Sequence, residues 1–121
     1  NLSLADSPSP ASVNMLMQQN LPPLDDNQEA LVLTVTYDPG GASKPHRHNA
    51  DAFVYMLEGE VVMQVQGGEK VTLKPGDTYY ESRDDIHTVS RNASDSESAT
   101  FLVFIIKDRG VPATLPADAE S

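Results

Sequence analysis

Two of the three histidines in this chain, His46 and His48, stand one residue apart in the stretch GGASKPHRHNADAFVYMLEGE. A neutral imidazole is the commonest protein ligand for a metal ion. On a strand, residues two apart face the same way, about 6.6–6.8 Å apart along the chain. Bent inward, the two rings reach a single ion at roughly 2.0–2.1 Å if it is zinc-like. The third histidine, His87, lies far off in sequence within the apolar-flanked DIHTV. One histidine alone is ordinarily a surface or hydrogen-bonded structural residue. Three in strand-like segments make a shared metal site worth testing.

Carboxylates near the histidines extend the candidate set. Asp51 follows His48 by three residues and Glu81 precedes His87 by six. Either is a candidate fourth ligand, and Glu81 is also the one candidate for a catalytic acid or base. If residues 49–51 are already strand, Asp51 points away from the histidine face. In an irregular loop that parity does not bind. The ordinary reading of Glu81 is a solvent-facing residue at a strand end. Tyr37, Tyr55, Tyr79 and Tyr80 read as core or barrel wall, with Tyr80 the candidate pocket residue. Met56, Met63, Phe53, Phe101 and Phe104 read as core.

Other chemistries have no carrier. The chain has no cysteine, which removes disulfides, thiolate catalysis and cysteine-ligated metal sites. There is no phosphate-cradling glycine loop and no G-x-S-x-G elbow. A formal net charge of −10 and an isoelectric point near 4.4 argue against nucleic acid and anionic membrane surfaces as partners. No apolar run of about 18 residues is present to span a bilayer. Asn-x-Ser triplets begin at Asn1 and Asn92, and both read as chance occurrences. The first residue is Asn, followed by the polar NLSLADSPSPAS, so export after removal of a leader and residence in the cytoplasm both stay open.

The elements that would position these residues are strands. The chain is one domain's length. Residues 1–29 read as an N-terminal arm, flexible through about residue 14; MLMQQNLPPLDDNQEA after that fits a helical turn or an edge strand. From residue 30 to 109, short apolar runs alternate with turn signals every 8 to 12 residues, which marks an all-β sandwich or barrel. ALVLTVTY sets Leu31, Leu33, Val35 and Tyr37 against Val32, Thr34 and Thr36. AFVYMLEGEVVMQVQ folds at Glu58-Gly59, the glycine pair at 67–68 signals a hairpin, and Lys74-Pro75-Gly76-Asp77 suits a type II turn. TYYES, IHTVSR and TFLVFIIK supply further strands. About eight strands predict a jelly roll or closed barrel. Residues 110–121 read as a fraying tail.

Over residues 30 to 107 the sequence resembles the cupin superfamily, small jelly-roll β-barrels with two motifs. In the first, G-x5-H-x-H-x3,4-E-x6-G, Gly40 precedes His46 and His48, and Gly59 closes the motif in YMLEGE. In the second, G-x5-P-x-G-x2-H-x3-N, counting back from His87 places Ser82 and Asp84 where proline and glycine stand, and Arg91 where asparagine stands, beside Asn92. The resemblance puts His46, His48 and His87 on the family's metal-binding histidine positions. It puts Ala52, which cannot ligate, at the family's glutamate. It implies a divalent transition metal (Fe, Zn, Ni, Cu or Mn), a small-molecule substrate and a homodimer. It also implies dioxygenase-like chemistry, since similar cupins with three histidines and no glutamate include such enzymes. A non-enzymatic ligand-binding or sensing module, with or without metal, is the alternative. A metal-free sugar-isomerase-like protein is disfavoured, because it needs a positioned acid/base pair.

Overall fold

The computed structural model describes residues 12–112 and 114–116, without the side chains of His48, Leu115 and Pro116. The expected flexibility of residues 1–11 and of 117–121 therefore lies outside the described residues. Nine strands and no helix appear among the described residues: β1 (Gln28–Tyr37), β2 (His46–His48), β3 (Ala50–Glu58), β4 (Val61–Val65), β5 (Val71–Leu73), β6 (Thr78–Glu81), β7 (Ile86–Asn92), β8 (Ala99–Asp108) and β9 (Thr114–Pro116). They form two antiparallel sheets, one ordered β1-β8-β3-β6 and the other β5-β4-β7-β2-β9. The expected all-β jelly roll is the observed fold. Residues 12–27 contain neither the helical turn nor the edge strand that the sequence left open.

Turn chemistry sets the connections. Gly76 has φ +93 at the third place of Lys74-Pro75-Gly76-Asp77, and Asp77 N donates to Lys74 O at 2.9 Å, the type II geometry. At the β3–β4 turn Gly59 has φ +69. A Cβ added there would sit 2.6 Å from Ser98 O and 2.9 Å from Ala99 Cα. Left-handed backbone and backbone contact act together here, so Gly59→Ala is expected to lower unfolding stability by about 2 kcal/mol. Chemical denaturation checks this, and an unchanged midpoint would contradict the geometry.

The core lies between the sheets. Ala52, Val54 and Met56 of β3 meet Phe101, Val103 and Ile105 of β8 and Val61 and Met63 of β4. Val35 and Tyr37 of β1 pack against this cluster. Leu31 and Leu33 share their face, yet each is 36% exposed. The interior is therefore not closed over that part of β1.

Two expectations need correction. Phe53 and Phe104 read as core, but they alternate with the core residues of β3 and β8 and face outward, with Phe104 38% exposed. Period-two patterning says which residues share a face and not which face meets water. The tail 110–121 does not simply fray: Thr114–Pro116 form β9 and pair with β2. Three residues are too few to show a periodicity.

Candidate functional site

Antiparallel pairing of β2 with β7 sets His46 directly opposite His87. Directly opposed residues have Cβ atoms about 4.5–5.5 Å apart, and the two imidazole centroids are 5.0 Å apart. Residues far apart in sequence thus come into ring contact. His48 follows on β2, paired at the backbone with Thr114. Its side chain lies outside the described residues.

A bulge makes the site. Along β7, Ser90 opposes Met63 and Val89 opposes Gln64, but His87 opposes Val65, so Thr88 is the extra residue. Without it, alternation would turn His87 to the face opposite Ser90. With it, His87 and Ser90 are both buried, at 3% and 4% exposure, and both line the interior cavity. Bulges re-aim side chains in this way beside functional sites.

A backbone carbonyl fixes the His46 ring, and a carboxylate lies at ion-pair distance from that of His87. His46 Nδ1 lies 2.8 Å from Lys44 O. A carbonyl only accepts, so Nδ1 carries the proton and the lone pair of the neutral ring sits on Nε2. His87 Nδ1 lies 2.9 Å from Glu81 Oε1, with both side chains buried. A carboxylate beside Nδ1 favours the same tautomer. Outer partners of this kind, a carbonyl on one histidine and a carboxylate on another, commonly hold metal-ligating imidazoles. Tyr79 flanks the pair, its ring 6.2 Å from that of His87. Burial, with Glu81 and Asp85 adding negative charge nearby, pushes the Tyr79 phenol up from its ordinary value.

The carboxylates divide. Glu81 is buried inside the barrel against His87, not at a solvent-facing strand end. Asp51 sits on β3 next to Ala52, and Ala52 points into the core. Asp51 is turned the other way, 1% exposed, accepting from Tyr80 Oη at 2.8 Å and from Arg83 Nη2 at 2.9 Å. It is part of a strand, so parity holds, and the histidines are on the other face. Tyr80 goes with Asp51 and is not among the cavity-lining residues. Arg91 is exposed, whereas Asn92 is buried, its Nδ2 donating to Glu97 O at 2.7 Å and Asp38 O at 3.2 Å.

A cavity of about 550 Å³ adjoins the histidines. His46, His87 and Glu81 give it one polar region, and Val54, Met63, Phe101, Val103 and Ile105 give it apolar walls. Its size falls in the range of small-molecule sites. Four hydroxyl residues missed by sequence reasoning also line it: Thr114 of β9, and Tyr37, Ser43 and Ser90, which touch one another. No sequence signal joins them, because they come from β1, the loop before β2, β7 and β9.

Among the described residues no group of three or more His, Cys, Asp or Glu side chains is arranged to hold an ion. The donor set still fits one. His46 and His87 present directly opposed imidazoles whose Nδ1 atoms have acceptors beside them, so Nε2 is the atom each ring would offer to an ion.

The family model described as Cupin domain matches residues 33–105. No curated protein matches. Among solved structures, a Thermus thermophilus protein is 34% identical, with a TM-score of 0.57 over 68% of this chain and 75% of that one. A Thermotoga maritima protein described as a predicted oxalate decarboxylase is 27% identical, with a TM-score of 0.56 over 64% of this chain and 65% of that one. An oxalate oxidase in complex with the substrate analogue glycolate is 20% identical, with a TM-score of 0.56 over 66% of this chain. That likeness concerns the fold alone, and this chain spans 46% of the oxidase's length.

Proposed function

The chain belongs to the cupin family, and from that premise we propose that it is a metal-dependent enzyme acting on a small organic molecule inside the barrel. His46, His48 and His87 hold one divalent transition ion, and the chemistry is dioxygenase-like. The observation that supports this reading is the directly opposed His46–His87 pair at the edge of an apolar cavity. When bound, the ion supplies Lewis acidity and, for iron, copper or manganese, one-electron chemistry towards dioxygen.

The chain's own residues supply the rest. Lys44 O orients the His46 imidazole and holds its Nδ1 proton, and the Glu81 carboxylate, at ion-pair distance, favours a proton on His87 Nδ1. The apolar walls exclude water and bind the carbon skeleton of the substrate. Glu81, beside His87 Nδ1, serves as a positioning residue rather than the acid or base. The similarity to a protein described as a predicted oxalate decarboxylase makes small oxygen-rich acids one class to include among trial substrates. Oxygen uptake is expected with at least one member of a panel of diols, phenols, thiols and small oxo-acids, on iron-loaded protein, and is expected to vanish in His46→Ala. Metal-dependent ligand binding with no turnover of any panel member would favour the non-enzymatic sensing module instead.

A further inference from the structure

The hydroxyl groups of Tyr37, Ser43 and Ser90 form a chain inside the cavity. Tyr37 Oη lies 2.5 Å from Ser43 Oγ and 2.8 Å from Ser90 Oγ. Each of the three oxygens carries one hydrogen and can also accept. Two contacts consume two hydrogens whichever way the chain runs, and three are available. One O–H is always left over. Ser90 is 4% exposed, and all three residues line the cavity. Ser43 and Tyr37 are half-buried, so the spare hydrogen faces the cavity or its mouth, where a ligand oxygen can take it.

From this count we infer that the cluster is a second polar anchor for the ligand, offering one O–H to an oxygen acceptor on it. The inference rests on the reading of the cavity as the ligand site. Ser90 lies three residues from His87 along β7, a separation on the order of 10 Å. The two polar regions are joined by the walls of Val54, Met63, Phe101 and Val103. The ring of Tyr37 is itself fixed edge-on against Phe101, with centroids 5.9 Å apart. The ligand is therefore an elongated, mostly apolar molecule. One end faces the histidines, and a carbonyl, ether or phenolic oxygen at the other accepts from the cluster. A fully apolar molecule of the same shape leaves the hydroxyl unsatisfied, and a short diacid spans only one of the two anchors.

The test uses 2-acetylnaphthalene and its acceptor-free counterpart 2-isopropylnaphthalene as probes. Binding of each probe to the full chain is followed by isothermal titration calorimetry. The triple variant Tyr37→Phe/Ser43→Ala/Ser90→Ala is expected to weaken the ketone about fivefold and leave the hydrocarbon unchanged or tighter. Ser43→Ala or Ser90→Ala alone leaves two hydroxyls, one contact and still one spare hydrogen, so the ketone changes less than about twofold. A second readout needs no variant: the carbonyl stretch of the bound ketone in wild type shifts to lower wavenumber than in hexane. A cluster with only a structural role would weaken both probes alike in the triple variant and leave the stretch unshifted, which overturns the inference, as does failure of wild type to bind either probe. The triple variant retains every histidine. Loss of metal binding in wild type would overturn the proposed function and leave the probe result standing.

Discussion

His87→Ala is expected to weaken binding of divalent zinc or iron by about a hundredfold or more, the largest effect of any single substitution in the cavity. Changing an outer partner of a metal-ligating histidine typically costs 10–100-fold, and removing the ligand itself costs at least as much. The structure adds why His87 has no substitute. It reaches the interior only because Thr88 is bulged out of the β4–β7 ladder, and no other residue of β7 carries an imidazole. Glu81→Gln tests the positioning role separately. The amide oxygen can still lie beside Nδ1 while the negative charge is lost, so affinity is expected to fall by about tenfold. Competition against a chelator of known affinity reads both. Equal affinities for wild type and His87→Ala would remove His87 from the site.

Arg83→Ala is expected to have the largest effect on stability, about 3 kcal/mol by chemical denaturation. Asp51 is 1% exposed, and Arg83 is its charged partner at 2.9 Å. Removing one member of a buried pair leaves a charge that burial penalises. The low end of the usual cost applies, because Tyr80 still donates to Asp51 and the arginine side chain is 31% exposed. The same trio carries a pH signature. Burial, followed by the hydrogen bond to Asp51, pushes the Tyr80 phenol up to about 12, against 10.0 for the free group. Burial favours the uncharged phenol, and the folded protein holds that proton more tightly than the unfolded chain. The resulting stabilisation is complete below pH 10 and disappears as the pH rises through about 12. Spectrophotometric titration should show a late transition near pH 12 that is lost in Tyr80→Phe, while the contribution of Tyr79, also raised above its ordinary value, remains. Full ionisation of all four below pH 11 would contradict the buried trio.

Much of the fold was legible because its signals are local. The turns at Glu58-Gly59 and Lys74–Asp77 announce themselves through glycine and proline, and period-two alternation in β1, β3 and β8 gives their two faces. Parity also separated Asp51 from the histidines once β3 was known to begin at Ala50. What the sequence hid was non-local or irregular. The pairing of His46 with His87 depends on strand register, and the inward turn of His87 depends on one bulged residue that alternation places wrongly. The hydroxyl cluster draws on three separate segments with no shared motif. Phe53 and Phe104 were misplaced because an apolar face looks the same in sequence whether it meets the core or the outside. The short β9 rests on pairing with β2 rather than on any pattern of its own.

The central claim is that His46, His48 and His87 make one metal site. The most direct measurement is elemental analysis of the full chain after loading with iron or zinc and removal of excess ion, made in parallel on wild type, His46→Ala, His48→Ala and His87→Ala. About one ion per wild-type chain is expected, with loss of that ion in each variant. No retained ion in wild type with any divalent metal, or undiminished content in His46→Ala and His87→Ala, would contradict it.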